Sequence, residues 1–181
     1  MFSFLETICI QDGIAQHLDF HQMRVNETFD QFFPEWEPFD VEELVSEQML
    51  PKEGIHRLRI TYQEDPEKIE ILPYSKKEIK RFALVETGEI DYGFKWAERG
   101  FFQNYLEAHP EADEVIFVKD GKIQDCSIAN LALLKDGIWY TPEDPLHWGT
   151  TRARLIIEEE IEETDILVDE LASYERICLI N

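Results

Sequence analysis

Basic residues are scarce in this chain: 17 Lys and Arg stand against 39 Asp and Glu, for a formal net charge of −22. That balance excludes a nucleic-acid partner, because neutralising phosphates takes clustered cations. It describes an acidic, solvated surface, so any anion pocket must be basic locally. Cysteine is scarce too. Cys9, Cys126 and Cys178 lie far apart, with no C-x-x-C and no Cys/His ligand spacing, which implies reduced thiols in a cytoplasm. No apolar run approaches the roughly 20 residues of a membrane helix. Residues 1–6 lack a basic segment followed by an apolar one, the mark of a signal peptide. A soluble intracellular protein is expected. H-E-x-x-H, G-x-S-x-G, Walker and G-x-G-x-x-G patterns are all missing. His17 and His21 stand four apart, a spacing that leaves a metal conceivable, but the five histidines show no metal-site pattern and no metal is expected.

With 181 residues the chain can bury a real core, as one domain or two small lobes. Residues 2–10 alternate as a strand does, and Asp12-Gly13 turns the chain into a second short strand. Apolar spacing predicts a helix over 17–33, with Leu18, Met23, Val25, Phe29 and Phe32 inward. A second starts at Asp40 as N-cap and sets Val41, Leu44, Val45 and Met49 on one face. Strands follow over 55–62 and 69–74. Polar residues 75–80 separate an N-terminal α+β lobe (1–74) from a C-terminal lobe (81–181). The latter should hold strands over 81–86, 114–119, 128–134 and 138–140, with Asp-Gly turns at 120–121 and 136–137. Helices are expected over 97–108 and 151–163, the second with Leu155, Ile156 and Ile157 inward and the acidic run 158–163 as its wet face. A strand, a short helix and a strand close the chain over 166–181.

Three places can carry chemistry. Lys95 sits among Tyr92, Phe94, Trp96, Phe101 and Phe102. Burial against such rings disfavours the charged amine and makes a lysine nucleophilic; equally, its stem can lie on the rings with the ammonium in water. Gly149-Thr150-Thr151-Arg152 opens a helix, where unpaired N–H groups and the positive dipole end favour an anion; a plain threonine N-cap reads the same. Asp125 precedes a Ser/Ala/Asn turn and can pair with a basic ring nitrogen, or be an ordinary turn aspartate. Arg24, after His21 on the first expected helix, is either a second phosphate ligand or a surface arginine.

The order of these elements resembles the fold-type-IV pyridoxal-phosphate enzymes: branched-chain and D-amino-acid aminotransferases and aminodeoxychorismate lyases. The likeness begins with Phe4-Leu5-Glu6-Thr7-Ile8 and Gly13. His21-Gln22-Met23-Arg24 is similar to the family's H-x-x-R, and Lys95 with Arg99 to its K-x-x-x-R. Ala112-Asp113-Glu114-Val115 resembles A-D-E-[AV], and Asp125 through Asn130 resembles E-G-x-x-x-N. Thr141-Pro142 and Gly149-Thr150-Thr151-Arg152 match the T-P and G-[IV]-T-R elements. The resemblance implies a two-lobed α+β fold, with a small N-terminal α/β sandwich and a mixed-sheet, barrel-like C-terminal lobe. It implies pyridoxal 5′-phosphate as cofactor, Lys95 as the residue that bonds it and shuttles protons, and Arg24 and the N–H groups around Thr150 and Thr151 on the phosphate. Asp125 would face the pyridine nitrogen, with Asn130 and Gly149 also at the cofactor.

Two departures stand out. Asp125 is one methylene shorter than the usual glutamate, and the chain ends at Asn181 where the family's final strand leads on into a further loop. The site would then be compact or covered by a partner subunit, as in the family's homodimers. Arg99 and the short form favour the aminodeoxychorismate-lyase branch, in which pyruvate is eliminated from 4-amino-4-deoxychorismate to give 4-aminobenzoate. An aminotransferase acting on branched-chain or D-amino acids shares the first steps. A binding module that keeps the fold without catalysis is the reading from a different class.

Overall fold

A computed structural model describes residues 3–88, 90 and 92–181 of the chain. They form two compact units, one running up to Lys77 and taking back Phe94–Glu98, the other holding Glu78–Gly93 and Arg99–Asn181. No helix of the described residues is long and apolar enough to cross a membrane.

The first unit is one antiparallel sheet and two helices. β1 (Phe4–Gln11) turns at Asp12-Gly13 into β2 (Ile14–Ala15); Phe2, expected in this strand, lies outside the described residues. Both turn residues have positive φ, 50° and 86°, the conformation a two-residue type I′ hairpin demands. α1 (Leu18–Phe32) and α2 (Val41–Ser46) follow, and Asp40 caps α2 by accepting from the Glu43 amide at 2.8 Å. β3 (Ile55–Tyr62) and β4 (Pro66–Pro73) complete a sheet of order β2-β1-β3-β4.

Phe4, Ile8, Ile10, Val25, Phe29, Val41, Leu58, Ile60 and Tyr62 form the core. Met23 and Met49, expected inward, are exposed; Met49 follows the end of a helix shorter than its apolar spacing suggests. The segment 94–98 lies against the N-terminal end of β1. Leu5 N donates to Lys95 O at 2.9 Å, Ala97 N donates to Ser3 O at 2.8 Å, and the Phe4 and Trp96 rings stack at 4.7 Å.

The second unit holds two sheets. β5 (Phe82–Glu86) runs parallel to β6 (Glu114–Lys119), which an Asp120-Gly121 hairpin joins to β7 (Lys122–Cys126). α3 (Gly100–Ala108) lies between β5 and β6 in sequence. β8 (Asn130–Lys135) and β9 (Ile138–Pro142) are joined at Asp136-Gly137. α4 (Thr150–Ile157) leads to β10 (Glu162–Thr164), a 3₁₀ turn Val168–Ser173 and β11 (Arg176–Ile180). The sheet order is β10-β9-β8-β11, with β10 parallel to β9 and the rest antiparallel.

The α+β class and mixed pairing thus hold, but the strands form two open sheets of three and four, not a closed barrel-like array. α4 also ends before the acidic run. Glu159 adopts φ 58°, which breaks the helix, and Glu162–Thr164 pairs with Tyr140–Pro142. The acids after Ile157 are therefore a turn and an edge strand, and Ile157 itself is exposed.

Candidate active site

In the first unit the expected arginine is buried in an ion-pair network. β1 points Phe4, Glu6, Ile8 and Ile10 into the core, and Glu6 is the one acid in that series. Its carboxylate is fully buried. Arg24 donates to it twice, Nε to Oε1 at 2.7 Å and Nη2 to Oε2 at 2.5 Å, and His21 Nδ1 lies 2.5 Å from Oε2. Burial alone would push the Glu6 carboxyl up, but the Arg24 guanidinium and the His21 contact hold it far below the usual carboxylate range. Burial lowers His21; the Glu6 hydrogen bond and charge oppose that without overcoming it, and the Arg24 and Lys95 charges add to the lowering, so a neutral ring donates its Nδ1–H to an ionised Glu6. Arg24 is thereby fixed by a bidentate pair, not free on the surface. Glu6 lies in the Phe4–Ile8 stretch of the resemblance without a role assigned to it, yet a carboxylate in the inward register of an apolar strand needs a buried cation, and that pattern was there to read.

Lys95 is half-buried in the segment that pairs with β1. Phe94 and Trp96 pack into the first unit's core, both against Phe32. Phe101 and Phe102, also expected around the amine, belong to the second unit, with Tyr92 and Phe117.

The remaining expected residues meet in the second unit. Asp125 is the fourth residue of β7, not part of a turn, and is buried. Asn130 Nδ2 donates to its Oδ1 at 2.8 Å and His147 N to its Oδ2 at 3.0 Å. Burial pushes the Asp125 carboxyl up to about 7; the Asn130 and His147 hydrogen bonds and the more distant Arg152 charge oppose that only in part. Among the described residues no cation forms an ion pair with it. Asn130 Nδ2 also donates to His147 O at 2.7 Å, and its Oδ1 faces Gly149.

A β-carbon at 149 would stand 2.0 Å from that oxygen. Gly149 has φ −71°, open to any residue, so its lack of a side chain makes room for Asn130. Gly149 is the N-cap of α4 and no side chain caps the helix, so the first-turn amides at Thr150 and Thr151, both half-exposed, have no intrahelical acceptors.

Arg99, Glu114 and Ser127 stand within motifs of the resemblance, but sequence reading did not foresee that they brace the 125–130 segment. Arg99 donates from Nη2 to Ser127 O at 2.7 Å while its guanidinium lies 5.5 Å from both the Tyr92 and Phe102 ring centres. Ser127 Oγ donates to the buried Glu114 at 2.5 Å. Thr141 and Arg152 are structural: Thr141 Oγ1 donates to Leu131 O at 2.8 Å, and Arg152 Nη2 donates to Pro142 O at 2.8 Å and to Glu163 at 2.6 Å. His17 precedes α1 with φ 55° and His21 is committed to Glu6; no metal-holding group occurs among the described residues.

In the second unit the uncapped helix start with two hydroxyls suits a phosphate, and the buried carboxylate lacking a paired cation suits a pyridinium; in the first, Lys95 carries an amine that can bond an aldehyde. The sequence profile of the class IV amino-transferases matches residues 96–181. An uncharacterized protein of Haemophilus influenzae is 30% identical over 184 residues, covering 100% of this chain and 97% of that one. A crystal structure from Haemophilus somnus, provisionally named a 4-amino-4-deoxychorismate lyase, is 35% identical over 100% of this chain and 96% of that one, with a TM-score of 0.93. A pyridoxal-phosphate-bound hypothetical aminotransferase of Mycobacterium tuberculosis shares the fold at 16% identity and a TM-score of 0.76, covering 99% of this chain and 77% of that one.

Fold and chemistry together are those of a pyridoxal-phosphate enzyme. The chain belongs to the class IV aminotransferase family.

Proposed function

We propose that the chain is a lyase that eliminates pyruvate from 4-amino-4-deoxychorismate to give 4-aminobenzoate. The observation that carries this reading is the 35% identity, over nearly the whole of both chains, to the Haemophilus somnus protein that bears the lyase name.

Lys95 would be the amine that holds the cofactor and the base that moves the proton at the substrate's amine-bearing carbon. Arg24, oriented by Glu6, and the amides and hydroxyls of Thr150 and Thr151 hold the phosphate. Asp125 would face the ring nitrogen: a carboxyl that burial has pushed up to about 7 would gain its counter-charge from a pyridinium, and each would then keep the other ionised. When bound, pyridoxal phosphate supplies the electron sink that makes the substrate carbon acidic. The protein's part is to keep that ring charged and Lys95 in place. Two copies of the chain would work as a homodimer, in the cytoplasm, on a small amine substrate of the folate pathway.

The test is a paired assay on the purified holoenzyme. Pyruvate and 4-aminobenzoate released from 4-amino-4-deoxychorismate support the lyase. Turnover of D- or branched-chain amino acids without pyruvate release would make the chain an aminotransferase instead. Binding of the cofactor without either turnover would leave a binding module.

A further inference from the structure

Asn130 stands where three stretches of the second unit meet. Its Nδ2 donates both to Asp125 Oδ1, on β7, and to the carbonyl of His147, two residues before α4 begins its cap; its Oδ1 fills the space a side chain at 149 would need. His147 closes the loop, since its own amide donates to Asp125 Oδ2. The Asp125 carboxylate and the N-terminus of α4 are therefore tied through one primary amide, supplemented by the backbone N–H groups of His147 and Leu146. A hydroxyl or a carboxylate in that place could not give two hydrogen bonds from a single nitrogen.

We propose that Asn130 is a positioning residue that sets the ring-nitrogen carboxylate and the phosphate-binding helix start against one another, and that position 149 is glycine in order to admit it. The inference rests on the assignment of Asp125 to the ring nitrogen and of Thr150 and Thr151 to the phosphate. It adds that the two ends of the cofactor are not held independently. Disturbing Asn130 disturbs both, although its amide is spent on the protein. Gly149→Ala acts at a distance in the same way, because its β-carbon would displace the Asn130 amide and break the bond to Asp125.

The test compares Asn130→Ala, Gly149→Ala, the double variant and Asp125→Ala by two readouts other than turnover. The dissociation constant for pyridoxal phosphate, from titration of the cofactor-free protein, reports the phosphate end. The absorption spectrum of the bound cofactor reports protonation of the ring nitrogen. Asp125→Ala should change the spectrum with little change in affinity. Asn130→Ala and Gly149→Ala should each change the spectrum and weaken affinity by about tenfold, the scale of one charge-assisted hydrogen bond. The double variant should be no weaker than either single one, since without the amide a methyl at 149 meets nothing in its way.

Asn130→Asp keeps the shape and loses the donor, and serves if the alanine variant does not fold; it too should weaken affinity and shift the spectrum. Asn130 variants that alter neither readout or only one, or a double variant whose losses multiply to about a hundredfold, would overturn the proposal. An unchanged spectrum in Asp125→Ala would instead remove the assignment of Asp125 on which it rests.

Discussion

Glu6 holds Arg24 through two hydrogen bonds, 2.7 Å to Nε and 2.5 Å to Nη2, in a place where neither side chain meets appreciable solvent. A buried ion pair adds little net stability of its own, but removing one partner strands the other.

Glu6→Gln should therefore cost about 3 kcal/mol or more in unfolding free energy. The effect has a definite pH dependence. The folded carboxyl lies far below its ordinary 4.5, so its stabilisation is complete above that value and drains away as pH falls below it. Urea unfolding of the parent and the glutamine variant should differ most near neutrality and converge in acid. Equal stability at pH 7 would show that Arg24 does not depend on Glu6.

Asp125 should behave in the opposite sense. Its folded carboxyl sits near 7 against an ordinary 3.8, so between those values the folded chain keeps a proton that the unfolded chain has lost. Its contribution falls as pH rises through that window, by on the order of 4 kcal/mol at most. Asp125→Asn in the cofactor-free protein should remove this downward slope between pH 4 and 7. Identical slopes for parent and variant would contradict the burial argument.

Arg99→Lys should lower stability by about 1–2 kcal/mol, because an ammonium cannot present the planar fork that reaches Ser127 O while lying over the Tyr92 and Phe102 rings. Thermal melting is the check. A lysine variant as stable as the parent would show that Arg99 does not brace the 125–130 segment.

What could be read from the chain was what short range determines. All three Asp-Gly pairs expected as turns adopt paired positive φ values, and Asp40 caps its helix, because a few adjacent residues decide each outcome. β3 runs from Ile55 to Tyr62 as expected, since its alternation has clear stops. Errors came where distant partners decide. The acids at 162–163 lie in a strand only because β9 is there to pair with, and β7 was masked by the polar residues Lys122, Gln124 and Asp125. Motif order pointed to Arg24, Lys95, Asp125 and the 149–151 helix start, but it could not show Glu6 beneath Arg24 or Asn130 against Gly149. Those contacts join residues 18 and 19 positions apart in sequence, and folding alone brings them together.

The most direct test of the whole account is borohydride reduction of the purified protein with pyridoxal phosphate, followed by peptide mapping. The adduct should fall on Lys95, and Lys95→Ala should take up none there or on any other lysine. A stable adduct at a different lysine, or an undiminished one in Lys95→Ala, would contradict the account.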